Sequence, residues 1–313
     1  MRFDSRPFAD PGGKSLASVV NTLKNAVHAG VSFLKAVLSS KGMYRYSLRD
    51  LWHGAWIFRC GYTREVVVEK CLDDSGPFMD VDVNGKRVTV LKGVFRPGEL
   101  AWLYQETFGR DPSNPHSYLK GEVTIESGDV VIDAGASEGF FVRLALDARC
   151  GHVVAFEPFG ALFQGLSRTF HGDGRVSVVP CGLSDVEGRG TISSCGGSAG
   201  EARIETDEAG ETVLTTLDAF VRERGLSGVD FVKMDIEGSE IKAIEGSRNV
   251  LRRFAPKLAI AVYHEYETAE RLRELIREIN PDYRVKYGGC YMFAAPFRPF
   301  ILYACRGVDG NKS

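Results

Sequence analysis

The stretch that most constrains the fold is 130–148. There the apolar run Val130-Val131-Ile132 leads into Asp133-Ala134-Gly135-Ala136-Ser137-Glu138-Gly139 and then into an apolar segment of helical period from Phe140 to Ala148. A short β-branched run, a glycine turn and a helix in immediate succession make the first half of a βαβ unit. The same rhythm recurs downstream. Strands are expected at 152–157, 176–179, 230–235 and 258–264, with helices at 160–170, 217–224, 238–253 and 268–279 and closing strands at 283–287 and 300–304. Strands joined through helices run parallel and are covered on both faces, so the expected class is α/β.

Upstream the pattern differs. Leu16, Val20, Leu23, Val27, Leu34 and Val37 recur at helical spacing with Lys24, His28 and Lys35 on another face, which predicts an amphipathic helix over 15–39. It reads as a helix docked on its own domain, with homo-oligomerisation or membrane-surface contact as the alternatives. Trp52, His53 and Trp56 read as core. Residues 65–71, 78–83 and 86–91 are strand-like, and Asn84-Gly85 between the last two is a strong hairpin signal. A helix is expected at 99–108 and a turn-rich loop at 111–115. The expected organisation is a flexible tail at 1–13, a helical and β-hairpin extension at 14–119 and an α/β domain at 120–313. Within that domain 188–216 reads as a β insertion with a flexible loop around Cys195-Gly196-Gly197-Ser198.

Composition removes several function classes. In 313 residues, 39 Lys and Arg stand against 41 Asp and Glu, a formal charge of -2, so no global basic field exists to hold a nucleic-acid backbone. Seven cysteines without a CxxC pair fit neither a disulfide framework nor a zinc site, and the expected location is cytoplasmic. The segment 16–38 carries Lys24, His28 and Lys35, so no transmembrane segment is expected there.

The glycine turn points to a cofactor. A dinucleotide fingerprint needs GxGxxG, whereas Gly135 and Gly139 are spaced GxxxG and Asp133 ends the strand just before them. An acid there disfavours a pyrophosphate and suits a cationic ligand such as S-adenosylmethionine. Glu157 ends the next strand about 20 residues further on, where a ribose diol is held in nucleotide-binding α/β folds. That feature alone leaves NAD open. Cys181 to Leu183, after the third strand, stand where an adenine could stack.

With these residues in view, the chain resembles the FkbM-type S-adenosylmethionine-dependent methyltransferases. The resemblance lies in VVIDAGASEGFF from Val130 to Phe141, VVAFEP from Val153 to Pro158, TLDAF from Thr216 to Phe220 and VDFVKMDIEGSEIKAIEG from Val229 to Gly246. Ser137 stands where such families commonly have Asn. The resemblance implies a class I methyltransferase (Rossmann-like) fold, with a seven-stranded, mostly parallel sheet. It also implies O-methylation of a hydroxyl on a sugar, glycan or natural product. The implied donor site comprises Asp133, Gly135, Ala136, Ser137 and Gly139 from the turn, Phe156 and Glu157 from the second strand, and Cys181, Leu183 and Asp235. A nicotinamide-dependent oxidoreductase and a non-catalytic S-adenosylmethionine-binding protein are the alternative readings.

Methyl transfer to oxygen is an in-line displacement, so alignment and a base are the main requirements. Asp235 and His264 end the fourth and fifth expected strands, and an imidazole with an ordinary pKa near 6.5 suits proton removal near neutrality. They form the expected catalytic pair. Asp235, Glu237 and His264 together could instead hold Mg²⁺ or Mn²⁺, a route ranked below metal-free catalysis because acids near a cationic cofactor are expected anyway. Glu240 reads as an acid favoured by the first turn of a helix, and His116 receives no role.

Overall fold

The computed structural model describes residues 16–38, 44, 46–60, 66–70, 76–109, 114–194 and 202–307. The expected tail at 1–13 and the loop around Cys195 to Ser198 lie outside them. The extension comprises α1 (Leu16–Leu38), α2 (Leu48–Cys60), β1 (Val68–Lys70), β2 (Phe78–Val83), β3 (Lys86–Leu91) and α3 (Pro97–Phe108). Then follow β4 (Val130–Ala134), α4 (Phe140–Asp147), β5 (His152–Phe156), α5 (Gly160–Thr169), β6 (Val176–Val179), β7 (Cys181–Leu183), β8 (Gly188–Ser194), β9 (Ala202–Thr206) and β10 (Thr212–Thr215). The chain continues through α6 (Leu217–Arg224), β11 (Phe231–Met234), α7 (Glu240–Glu245), α8 (Arg248–Arg253), β12 (Lys257–Ala261), α9 (Thr268–Ile279), β13 (Tyr283–Gly288) and β14 (Ile301–Arg306).

Seven strands form the main sheet in the order β13-β14-β12-β11-β4-β5-β6. Strand β14 is antiparallel to both neighbours, and the other pairs are parallel. Successive side chains point to opposite faces, which divides the core in two. Ile132, Val154, Val232 and Ile260 pack on one face with α6 to α9. Val131, Val153, Phe231 and Ala259 pack on the other with α4. From β4 the chain builds outward through β5 and β6, whereas β11 and β12 extend the opposite side. The crevice between β4 and β11 is therefore the switch point where such sheets take ligands.

The insertion forms its own four-stranded sheet, β7-β10-β8-β9, whose first strand is made of Cys181 to Leu183. The segment expected as one helix at 238–253 is two. Gly246 and Ser247 separate them, and the Asp218 carboxylate accepts the Asn249 and Val250 backbone N–H groups at 2.9 and 2.8 Å, starting α8 afresh.

In the extension, β1 to β3 make an antiparallel sheet whose Asn84-Gly85 turn has positive φ at both residues, 50° and 81°. Its Val66, Val81, Val88 and Val90 close over Phe140 and Leu162 of the α/β domain. Helix α1 departs from the expected face. Ala29 is buried and Phe33 and Val37 pack against Leu51, Ala55, Cys290 and Met292, whereas Val27 and Leu34 are exposed. His28 is exposed, as its polar face requires.

Candidate functional site

The glycine turn sits at the carboxyl end of β4. The backbone N–H groups of Gly135 and Ala136 both donate to the Phe156 carbonyl, at 3.0 and 3.1 Å, and tie the turn to β5. Gly135 has φ +77°, and a Cβ there would lie 2.0 Å from the Asp235 carbonyl oxygen. The sequence suggests that a side chain at 135 would fill ligand space. It would instead overlap the chain's own β11 exit, so this glycine is required for the fold as well as for the pocket. Gly139, φ +93°, begins α4 against Leu166 and Phe170.

Glu157 is buried, and its two oxygens accept backbone N–H groups from Ser137 at 2.8 Å and Phe159 at 2.9 Å. Burial pushes its pKa up to about 7, against the pull of those two donors. A pocket opens beside it. Gly135, Ser137, Phe156, Glu157, Cys181, Leu183 and Asp235 line it, together with Phe159, Ile192, Ile204 and Glu237. Most of the lining is apolar, with carboxylates from Glu157, which follows β5, and from Asp235 and Glu237, which follow β11.

Asp133, Ala136, Gly139 and His264 do not line this pocket. Asp133 is fully buried with its carboxylate 3.0 Å from Lys233 Nζ, which also donates to the Gly135 carbonyl at 2.6 Å. The expectation that Asp133 presents charge to a cationic ligand is thereby corrected, because a lysine from the neighbouring strand neutralises it. Burial opposes the charge of Lys233, but Asp133 and Asp235 raise its pKa and keep it protonated.

At the ends of β11 and β12 a second cluster forms. His264 Nε2 lies 3.4 Å from Asp235 Oδ1 and 3.2 Å from Glu237 Oε2, and Nδ1 lies 3.3 Å from Glu240 Oε1. Burial opposes a charge on this imidazole, yet Glu240, Glu237 and Asp235 outweigh it and hold the pKa well above the ordinary value. These three carboxylates favour the charged form of the ring, which makes it less available as a free base than an isolated imidazole. Glu240 exceeds its helix-end reading: it is fully buried and accepts the Ile236 N–H at 3.0 Å.

Several residues of this cluster were not legible in the sequence. Tyr118 donates to Asp235 Oδ2 at 2.5 Å. His116 Nε2 approaches the same oxygen at 3.8 Å, and its Nδ1 lies 3.2 Å from Glu106 Oε1 on α3. Glu106 also accepts the Trp102 indole N–H at 2.7 Å. No spacing rule marks His116 or Tyr118, which come from an irregular segment. Lys233 did leave a signal, as a charge inside the apolar strand Phe231-Val232-Lys233-Met234.

Asp235, Glu237 and His264 could hold a metal ion, since one donor atom from each lies within 4.8 Å of the others. Among the described residues no helix is long and apolar enough to cross a membrane.

The crystal structure of the methyltransferase FkbM from Methylobacillus flagellatus KT is 19% identical, covering 92% of this chain and 60% of that one, with a TM-score of 0.46. M. jannaschii TYW2 in complex with AdoMet is 13% identical, covering 77% of this chain and 94% of that one, with a TM-score of 0.42. The 31-O-demethyl-FK506 methyltransferase FkbM of Streptomyces tacrolimicus is 28% identical over 186 residues, 48% of this chain and 69% of its own. Residues 133–284, which include the glycine turn, Glu157, Asp235, Glu237, Glu240 and His264, match the family described as the Methyltransferase FkbM domain, and with the Streptomyces relative they support an S-adenosylmethionine-using methyltransferase of the FkbM kind.

Proposed function

We propose that the protein transfers the methyl group of S-adenosylmethionine to a hydroxyl of a sugar-bearing, glycan or natural-product acceptor. The observation that carries this reading is the pocket at the switch point, whose lining joins apolar residues to carboxylates at Glu157 and at Asp235 and Glu237. S-adenosylmethionine has matching parts: a ribose diol for Glu157, an adenine for the apolar wall at Phe156, Cys181 and Leu183, and a cationic methionine for the acids. The donor supplies the methyl group. The chain's own contribution is to align the acceptor oxygen with it and to receive the departing proton at the carboxylates of Asp235 or Glu237. The 31-O-demethyl-FK506 methyltransferase, by its name, methylates an oxygen, which supports a hydroxyl acceptor.

An acceptor surface is supported by a row of rings. Tyr263 lies beside His264 with ring centroids 4.3 Å apart and stacks on Tyr291 at 5.1 Å. Tyr291 in turn meets Phe293, which is 42% exposed and touches Phe58 and Trp102. Exposed ring faces suit the apolar faces of sugars and macrocycles. The test is calorimetry with S-adenosylhomocysteine and NAD, followed by transfer of labelled methyl into a panel of hydroxylated acceptors with mass spectrometry of the product. Binding of NAD with no binding of S-adenosylhomocysteine would overturn the reading.

A further inference from the structure

The Asp235 cluster is short of positive charge. Asp235, Glu237 and Glu240 all face the one imidazole of His264, at 3.2 to 3.4 Å. The side chain of His264 is only 6% exposed, and neither of its ring nitrogens makes a hydrogen bond of good geometry; the same holds for Asp235 Oδ1. Buried polar atoms of this kind normally have partners, and buried charges are compensated. Lys233 and His116 also act on Asp235, but each is shared with a further carboxylate, Asp133 and Glu106, so carboxylates outnumber cations across the cluster.

We propose that Asp235, Glu237 and His264 bind a divalent cation of the Mg²⁺ or Mn²⁺ class. Ligand atoms at right angles around such an ion, each about 2.1 Å from it, lie about 3 Å apart. The Nε2 to Oδ1 and Nε2 to Oε2 separations of 3.4 and 3.2 Å approach that spacing. Two oxygens and one imidazole nitrogen leave further positions open for water or an acceptor oxygen, a set suited to Mn²⁺.

The surrounding residues are arranged as metal sites require. A metal-binding histidine typically directs its other nitrogen at a carboxylate, which fixes the ring. Here Nδ1 faces Glu240, itself held by the Ile236 N–H. The second oxygen of Asp235 is held by Tyr118, leaving Oδ1 directed at the imidazole. Glu237 adopts φ +55°, an uncommon conformation for a residue with a side chain. Asp235 and Glu237 also line the donor pocket, so the ion would stand at its edge. Resting on the methyl-transfer reading, its chemical contribution would be to lower the pKa of the acceptor hydroxyl, whose proton would then leave to water, since Asp235 and Glu237 would be occupied as ligands.

The test uses the full chain, freed of metal by EDTA dialysis and titrated with Mn²⁺ without donor or acceptor, following the electron paramagnetic resonance signal of free Mn²⁺. One Mn²⁺ per chain is expected to bind. Glu237→Gln and His264→Gln should each weaken it at least tenfold, and Glu240→Gln by about ten- to a hundredfold through loss of ring orientation. Far-UV circular dichroism identifies any variant that fails to fold. Glu237 is the most exposed of the three ligands, so Glu237→Gln decides the matter if the buried variants unfold. Mn²⁺ left free at millimolar concentration, or bound as tightly by folded Glu237→Gln, would overturn the site. S-adenosylhomocysteine calorimetry on the same sample separates the two readings: nucleoside binding without Mn²⁺ sinks the ion alone, and Mn²⁺ without nucleoside sinks the methyltransferase alone.

Discussion

Lys233 Nζ lies 3.0 Å from Asp133 Oδ1 across adjacent parallel strands, and both side chains are almost completely withdrawn from water. The pair therefore belongs to the foundation of the glycine turn. Removing one member leaves the other as an isolated buried charge, which costs about 3 to 5 kcal/mol, whereas removing both together costs much less. Lys233→Met is expected to lose that much stability in urea denaturation, and Lys233→Met with Asp133→Asn is expected to regain a large part of it. Equal losses in the single and double variants would mean that the Lys233 contact with the Gly135 carbonyl, at 2.6 Å, matters more than the ion pair.

Glu138 offers a pH test of the same region. It is buried, one of its oxygens has no hydrogen-bond partner, and burial pushes its pKa up to about 7 from the ordinary glutamate value of 4.5. The folded protein thus holds the proton more tightly than the unfolded chain. The associated stability is fully present below pH 4.5 and is lost as pH rises through about 7. Glu138→Gln, which cannot ionise, should be about as stable as wild type at pH 4 and more stable at pH 8, by on the order of 2 to 3 kcal/mol, as read by thermal or urea denaturation at each pH. A difference independent of pH would assign the effect to packing.

Glu157→Gln tests the donor site. The carboxylate accepts the Ser137 and Phe159 N–H groups and still has lone pairs toward the pocket. An amide can accept at only one of its two ends, so the variant should bind S-adenosylhomocysteine about ten- to a hundredfold more weakly, the scale of one or two hydrogen bonds to a charged group. Calorimetry reads this directly. An unchanged dissociation constant would leave Glu157 as a brace between the turn and β5.

The parts of the fold legible in the sequence are those governed by local chemistry. Asn84-Gly85 specifies its hairpin through positive φ, and the Val-rich runs specify buried parallel strands through apolar continuity. The break between α7 and α8 was hidden because it depends on Asp218, a residue distant in sequence. The donor pocket was traceable for the same local reason, since Gly135 and Glu157 are fixed by the ends of two adjacent strands. The Asp235 cluster was only half traceable. Asp235, Glu237 and His264 stand at strand ends, but His116, Tyr118 and Glu106 reach the cluster through the packing of the extension on the sheet, which no sequence period records. The charge on His264 likewise depends on three carboxylates brought together by the fold.

The ring row gives the last test, because it separates acceptor recognition from donor recognition. Phe293 touches Tyr291, Phe58 and Trp102 and does not line the donor pocket. Phe293→Ala removes ring area that is already 42% exposed, so the cavity cost is smaller than for a core phenylalanine and the chain should remain folded. If an acceptor ring packs there, the lost contact is part of its binding in both ground state and transition state. KM for the acceptor should then rise about five- to thirtyfold, the effect of roughly 1 to 2 kcal/mol, with kcat nearly unchanged. The dissociation constant for S-adenosylhomocysteine should not move. Steady-state kinetics with an acceptor found in the labelled-methyl panel provides the measurement. A fall in kcat at constant KM would instead mean that the ring acts through Tyr291 and Tyr263 on the geometry beside His264, and the acceptor would have to enter from another side.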